Sequence, residues 1–188
     1  WSYDDKTEFF TLGDLVEKFS LDKLNPSPAA INFSKLDHFN GLHIRHLAVE
    51  DFARRIKPTF VKAGYQVEDE LLLQVAEIIQ TRTKKLIDVV EMAGFFFQDE
   101  IELALDRIIS EKMSAAQAAR AAEELAILFQ QTSKITAETA EQPLRDLASD
   151  LDLKAGQLFG LLREILTGQK VSPPLFDIIT VLGRKTTI

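Results

Sequence analysis

The chain has 188 residues, 46% apolar and 27% charged, with no cysteine and a formal net charge of -7. This is the composition of an ordinary globular protein with enough chain for one good core or two small ones. It excludes disulfides and thiolate-held metals, and no apolar run approaches the ~18 residues of a membrane span or follows a basic leader.

Residues 1 to 8 are polar and irregular, and Thr11 is placed to cap a helix carrying Leu12, Leu15, Val16 and Phe19. Asn25-Pro26-Ser27-Pro28 then breaks the chain. Ser34 is the expected cap of the next helix, on which Leu36, Phe39, Ile44 and Leu47 pack, with Asn40-Gly41 predicting an irregularity in its middle. Val49-Glu50-Asp51 opens another helix, acidic first and then basic at Arg54, Arg55 and Lys57, as the helix dipole favours. Pro58 is expected to bend it and Gly64 to end it. Leu72, Val75, Ala76 and Ile79 form an apolar stripe, which Leu86, Val89, Val90 and Ala93 repeat one helix later. Between the stripes lies the polar, basic interruption Gln80-Thr81-Arg82-Thr83-Lys84-Lys85, a candidate site. Gly94-Phe95-Phe96-Phe97 closes the segment as a bulky core plug.

Past Gln98 the composition turns acidic and alanine-rich. Ala118, Ala121, Ala122 and Leu125 make a narrow stripe suited to close helix packing, extended by Leu128 and Phe129. Helices over 137 to 150 and 154 to 167 follow. On the second of these Leu158, Leu161, Leu162, Ile165 and Leu166 share one buried stripe, leaving Arg163 and Glu164 off it, so that Arg163 faces solvent or a ligand. Thr167-Gly168 ends that helix, and Ser172-Pro173-Pro174 reads as an N-cap with a new helix from about Pro173, whose free N–H groups suit an anion or nucleic acid. No strand-like alternation and no internal repeat occurs. The expected fold is all-α, two packed helical lobes at 1–97 and 98–188 with no significant sheet.

An acidic total speaks against a phosphate-rich partner, but the charge is unevenly spread. Residues 43–62, 80–85 and 154–188 each carry +3, whereas 98–153 carries -7 and 1–22 carries -4. The three basic islands could build one basic face, or be scattered over solvated helices. His38, His43 and His46 are poorly spaced for a single ion, since His38 and His43 lie about 140° apart around an ideal helix. No phosphate loop, dinucleotide fingerprint, His-Glu-x-x-His or Gly-x-Ser-x-Gly is present, and no acid stands out as one of a catalytic pair. Lys112-Met113-Ser114 mimics the start of the Lys-Met-Ser-Lys-Ser loop of class I aminoacyl-tRNA synthetases, but Ala115 and Ala116 follow it and no strand precedes it, so it reads as a helix boundary. An all-α protein-interaction module using the acidic 98–153 face is the alternative reading of the whole.

Trp1-Ser2, Ser34-Lys35-Leu36-Asp37 with Asn40-Gly41 and Ile44-Arg45, Leu162-Arg163 with Leu166-Thr167-Gly168, Ser172-Pro173-Pro174-Leu175-Phe176 and Leu182-Gly183-Arg184 recur in one order and spacing from end to end. In these words the chain resembles the C-terminal, anticodon-binding half of the bacterial-type glutamyl-tRNA synthetases. The resemblance implies helical lobes downstream of a nucleotide-binding catalytic domain that the chain does not contain, so the chain is expected to be a piece of a longer protein. It further implies a tRNA(Glu) partner, no cofactor in this piece, ATP and magnesium in the catalytic domain, a cytoplasmic monomer and no membrane. Carried over by position, Arg163 reads the first anticodon base, Leu175 with Ser172 packs against the bases, and Arg82 contacts the third base. Lys35 and Arg45 touch the tRNA backbone. An arginine fork can bond base edges and stack on unpaired bases, and a lysine supplies charge without base information. His38 and Phe39 depart from the family's usual Trp-Leu. Read from the residues alone, both Arg82 and Arg163 would also fit internal ion pairs.

Overall fold

The computed structural model describes residues 1, 3–4, 6–7, 9–26, 30, 32–98, 100–104, 108, 113–132 and 136–187, the side chains of 137 and 184–187 excepted. Among these residues the elements are helical, with no strand or sheet. The α-helices are α1 (Leu12–Lys18), α2 (Phe33–Arg45), α3 (Val49–Lys62), α4 (Asp69–Ile79), α5 (Val89–Ala93), α6 (Ala115–Gln131), α7 (Ala137–Asp150), α8 (Ala155–Thr167) and α9 (Leu175–Thr187). Single 3-10 turns flank α5 at Leu86–Asp88 and Gly94–Phe97. Ser27 and Pro28 of the chain break and Lys112 of the Lys-Met-Ser triplet lie outside the described residues.

Side chains at the helix starts set several of the boundaries. Thr11 Oγ1 accepts from the Asp14 amide, and the Asp14 carboxylate accepts from the Thr11 amide at 2.9 Å, which fixes the start of α1 as expected. Ser114 with Gln117, and Thr136 with Thr139, open α6 and α7 in the same reciprocal way. Ser114 is thus a helix boundary.

Two starts differ from the sequence reading. Asn32, not Ser34, caps α2: its Oδ1 accepts from the Lys35 amide at 3.1 Å, a reach that its short side chain shares with serine. The closing helix starts at Leu175 instead of Pro173, with the Pro174 carbonyl accepting its first bond from the Ile178 amide at 3.1 Å. Ser172 Oγ is engaged by Arg163 and caps nothing.

α2 also runs unbroken through Asn40-Gly41, where the sequence predicts an irregularity. A Cβ on Gly41 would lie 3.2 Å from Arg45 Nη1, 3.4 Å from the Thr83 carbonyl oxygen and 3.6 Å from Lys84 Cα, so α2 passes the turn after α4 at van der Waals distance and the glycine leaves room for the Arg45 guanidinium. Pro58 lies within α3, and Gly64 follows its end with φ +96°, a left-handed turn that glycine adopts without steric cost.

Apolar burial assembles these helices. Phe52, Ile56 and Phe60 of α3 and Val75, Ala76 and Ile79 of α4 are fully buried, and Val89, Ala93, Phe95 and Phe96 cover that pair. Ala121, Leu125 and Phe129 of α6 join Leu144 of α7, Leu158 and Leu162 of α8, and Ile178 and Ile179 of α9. Glu164, expected off the buried stripe of α8, is only 7% exposed. α9 also packs on α4, and Gly94–Phe97 packs on α8, so one continuous hydrophobic cluster holds the end of α4 close to α8 and α9.

Candidate nucleic-acid interface

Arg163 sits one turn before the end of α8. Thr167 Oγ1 donates to the Arg163 carbonyl at 2.7 Å, and Gly168 then turns the chain in the left-handed region at φ +63°. No other residue type suits that turn, because a Cβ there would stand 3.0 Å from the Glu102 carbonyl oxygen and 3.1 Å from Ile101 Cγ2. The chain consequently doubles back and brings Ser172 and Pro173 to the guanidinium. Arg163 Nη1 donates to Ser172 Oγ, to the Pro173 carbonyl at 2.9 Å and, more weakly, to the Ser172 carbonyl at 3.4 Å. Its Nε and Nη2 donate to no described residue.

Arg82 projects from the turn that ends α4. Thr83 is fully buried and its Oγ1 donates to the Ile79 carbonyl at 2.9 Å, while the Arg82 amide donates to the same carbonyl at 3.0 Å. Those bonds pin the turn from below and leave the Arg82 side chain exposed, with no hydrogen bond or ion pair among the described residues.

The two guanidiniums lie close enough for their charges to interact. Burial holds the Arg163 pKa below the ordinary arginine range, and the positive charge of Arg82 lowers it further. No described carboxylate pairs with either, so the internal ion pairs that each could have made are not formed among the described residues. Two repelling cations, each with spare N–H donors, form a site suited to an anion or to the acceptor edge of a base.

The remaining candidates divide. Arg45 joins the pair's neighbourhood, its Nη1 donating to the Thr81 carbonyl at 3.4 Å, one residue before Arg82. Lys35 stands at the other end of α2, about 15 Å away along the helix axis, with Nζ 5.4 Å from the centre of the Phe39 ring. Leu175 is 5% exposed and belongs to the core, where it seats the start of α9 under Ser172 and Pro173. His43 and His46 lie against Phe9, at 4.7 and 4.2 Å between ring centres, and no three metal-ligating side chains gather among the described residues.

Other residues at the site escape the sequence reading. A cleft of about 570 Å³ runs between α5 and the loop before Ser172, lined by Asp88, Glu91, Met92, Gln169, Lys170 and Val171. Val171 is 82% exposed beside two arginine-bonded residues. Gln169 ties the loop across to α5, its Nε2 donating to the Glu91 carbonyl at 2.7 Å. The only sequence signal for them is an exposed apolar residue in a loop between a helix-ending glycine and Ser-Pro-Pro, a pattern too common to single out.

Comparison with known proteins gives relatives along the whole chain. The family described as Anticodon binding domain matches residues 51–188. A glutamate tRNA ligase of Dehalococcoides mccartyi is 37% identical over 190 residues, 98% of this chain and 39% of the relative. One of Roseiflexus castenholzii is 38% identical over 194 residues, 100% of this chain and 38% of the relative. The crystal structure of a glutamate tRNA ligase from Elizabethkingia meningosepticum in complex with its amino acid shares the fold, with a TM-score of 0.84 at 22% identity, covering 100% of this chain and 37% of that one. The chain therefore spans about two fifths of the length of the curated relatives it matches.

Proposed function

Since the chain belongs to the anticodon binding domain family, we propose that it reads the anticodon of tRNA(Glu) for a class I glutamate tRNA ligase, so that the parent enzyme charges the right tRNA. One observation carries this reading: the packing that holds the end of α4 close to α8 and α9 brings Arg82 and Arg163, far apart in sequence, near enough for the positive charge of one to lower the pKa of the other, with no described carboxylate paired to either. An anion or an acceptor-rich base edge relieves that repulsion, and unstacked anticodon bases offer both. In this assignment Arg163 takes the first anticodon base with Ser172 beside it, and Arg82 takes the third. Leu175 supports the bases from below as the buried seat of α9, and Lys35 and Arg45 hold the tRNA backbone.

The lobes 1–97 and 98–188 together form the cage for the bases. ATP and magnesium serve the aminoacylation chemistry elsewhere in the parent protein, which we place in the cytoplasm as a monomer. The test is binding of tRNA(Glu) transcripts, with the ordinary anticodon and with the first base changed, to the wild type and to Arg163→Ala. A lost base-edge contact weakens the ordinary transcript roughly tenfold to a hundredfold and the altered one far less. Equal losses for both transcripts would remove base reading from Arg163.

A further inference from the structure

The bare apolar face of α1, we infer, is a docking surface for the part of the parent ligase that precedes Trp1. The inference rests on this chain being part of a ligase, and it holds whether or not Arg163 reads a base.

Exposed apolar side chains are concentrated at one end of the chain. Leu12 and Val16, one turn apart on α1, are 77% and 78% exposed, and neither α1 nor the 3-10 turn Leu21–Lys23 has a buried residue. Leu21, Leu24, Phe33 and Leu36 continue the series, whereas beyond Leu36 large exposed apolar residues occur singly, each on a different element. Single ones are ordinary on a protein surface, but a run of them marks a contact. With seven residues, α1 is also shorter than a helix that persists alone in water. Its neighbours hold only its flanks. The Phe19 ring packs on Trp1 at 5.6 Å between centres, Trp1 packs on Phe10 at 5.7 Å, and Phe9 stacks on His46 of the α2 end at 4.2 Å. Leu12 and Val16 are left uncovered by these contacts.

Three observations choose the occupant. Residues 1–50 lie outside the stretch 51–188 that matches the anticodon binding family, yet inside the stretch shared with ligases of which this chain spans about two fifths. Most of a ligase of that length is therefore available to cover α1. Trp1 belongs to the aromatic cluster that flanks α1, so any chain preceding it emerges beside this face and meets it at high effective concentration. Charge argues against tRNA as the cover. Residues 1–22 carry -4, and Lys18 is already engaged, 3.5 Å from the Asp14 carboxylate and 5.5 Å from the centre of the Tyr3 ring. Such a surface repels phosphates and suits an apolar protein face with a basic rim.

The experiment uses the full-length ligase carrying Val16→Cys or Leu12→Cys. This chain has no cysteine of its own, and the unsubstituted enzyme supplies the blank for any elsewhere in the parent. Maleimide labelling is followed in native buffer and in concentrated urea. The native rate is expected to be at least about tenfold below the urea rate, because a covered thiol reacts only when its cover opens. That protection should be the same at every enzyme concentration and without tRNA. Protection that appears only at high enzyme concentration would assign the face to a second copy, and protection that appears only with tRNA(Glu) would assign it to nucleic acid. A native rate within tenfold of the urea rate throughout would leave the face bare. Each of these three results overturns the inference. Photo-leucine incorporated into the wild-type ligase then identifies the cover: cross-links from Leu12 to residues before Trp1 are expected, and cross-links only to residues beyond Ile188 would also overturn it. An uncovered α1 leaves the anticodon assignment standing, and loss of base reading at Arg163 leaves the docking surface standing.

Discussion

At Arg163 geometry matters more than charge. One nitrogen of its fork is spent on Ser172 and Pro173, which fixes the plane of the guanidinium and aims the other donors away from the protein. A lysine would keep the charge but has no second edge to aim. Arg163→Lys should therefore cost about as much discrimination between first anticodon bases as Arg163→Ala, roughly tenfold, while keeping most of the affinity for tRNA measured with an altered first base. Filter binding with both transcripts checks this, and a lysine variant that still discriminates would mean that charge alone selects the base. The sequence shows that an arginine sits off the buried stripe of α8. It does not show that Ser172 holds that arginine in place, because Ser-Pro-Pro reads locally as a helix start and only the fold of the Gly168 turn reveals the other use of the serine.

Glycines at the scale of single elements separate local from tertiary constraint. Gly160 lies inside α8 with nothing within 4 Å of a prospective Cβ, so Gly160→Ala should stabilise the protein by about 0.5–1 kcal/mol through helix propensity. Gly168→Ala must combine a left-handed backbone with a 3.0 Å contact to the Glu102 carbonyl oxygen, and should destabilise it by roughly 1–3 kcal/mol. Denaturant unfolding of the two variants tests the contrast. The start of α3 gives a pH signature. Hydrogen bonds from Arg55 and then Arg54 hold the Asp51 carboxyl below the usual carboxylate range. A depressed folded pKa means stability that is present above the unfolded value near pH ~4 and lost as the pH falls through the lower folded value. The difference in thermal midpoint between wild type and Asp51→Asn should be visible at pH 6 and should close as the pH falls below the ordinary carboxylate range. Most elements were legible in the sequence, because the stripes of α4, α6 and α8 follow the helical period and their burial enforces it, while α3 is marked by its acidic first turn and the basic residues after it. The starts of α2 and α9 were not, since Asn32 and Ser34 are equally good caps by type and the choice depends on which backbone amide each one reaches. Asn40-Gly41 misled for a related reason: glycine's usual meaning within a helix is a break, whereas here it lies under the Arg45 side chain one turn on, beside the turn at Thr83 and Lys84.

Over the whole molecule the net charge of -7 hides a division of labour that only the tertiary structure makes plain. The basic stretch 80–85 and the basic C-terminal stretch were visible as islands, but their meeting depends on α9 packing against α4, and that contact has no signature in either segment alone. The acidic run 98–153 repels phosphate, so a polyanion should settle on the basic stretches, with Arg45 bonded beside Arg82, Arg163 within reach of the Arg82 charge, and Lys35 extending the track along α2. Each cation that neutralises a phosphate releases condensed counterions, and the logarithm of the binding constant then falls with the logarithm of salt concentration by about 0.7 per contact for single-stranded nucleic acid. In the proposed assignment Lys35, some 15 Å from Arg45 along its helix, supplies charge without reading a base. Lys35→Ala should lower the salt slope by roughly 0.7 and weaken every transcript equally, whatever its anticodon. Arg163→Ala should do the reverse, changing the preference among anticodons more than the slope, because the acceptor edge of a base releases no counterion. Salt titrations of both variants with matched and altered transcripts separate the two jobs. If both variants shifted the slope alike and left the preference alone, the basic face would be a general polyanion surface without a reader in it.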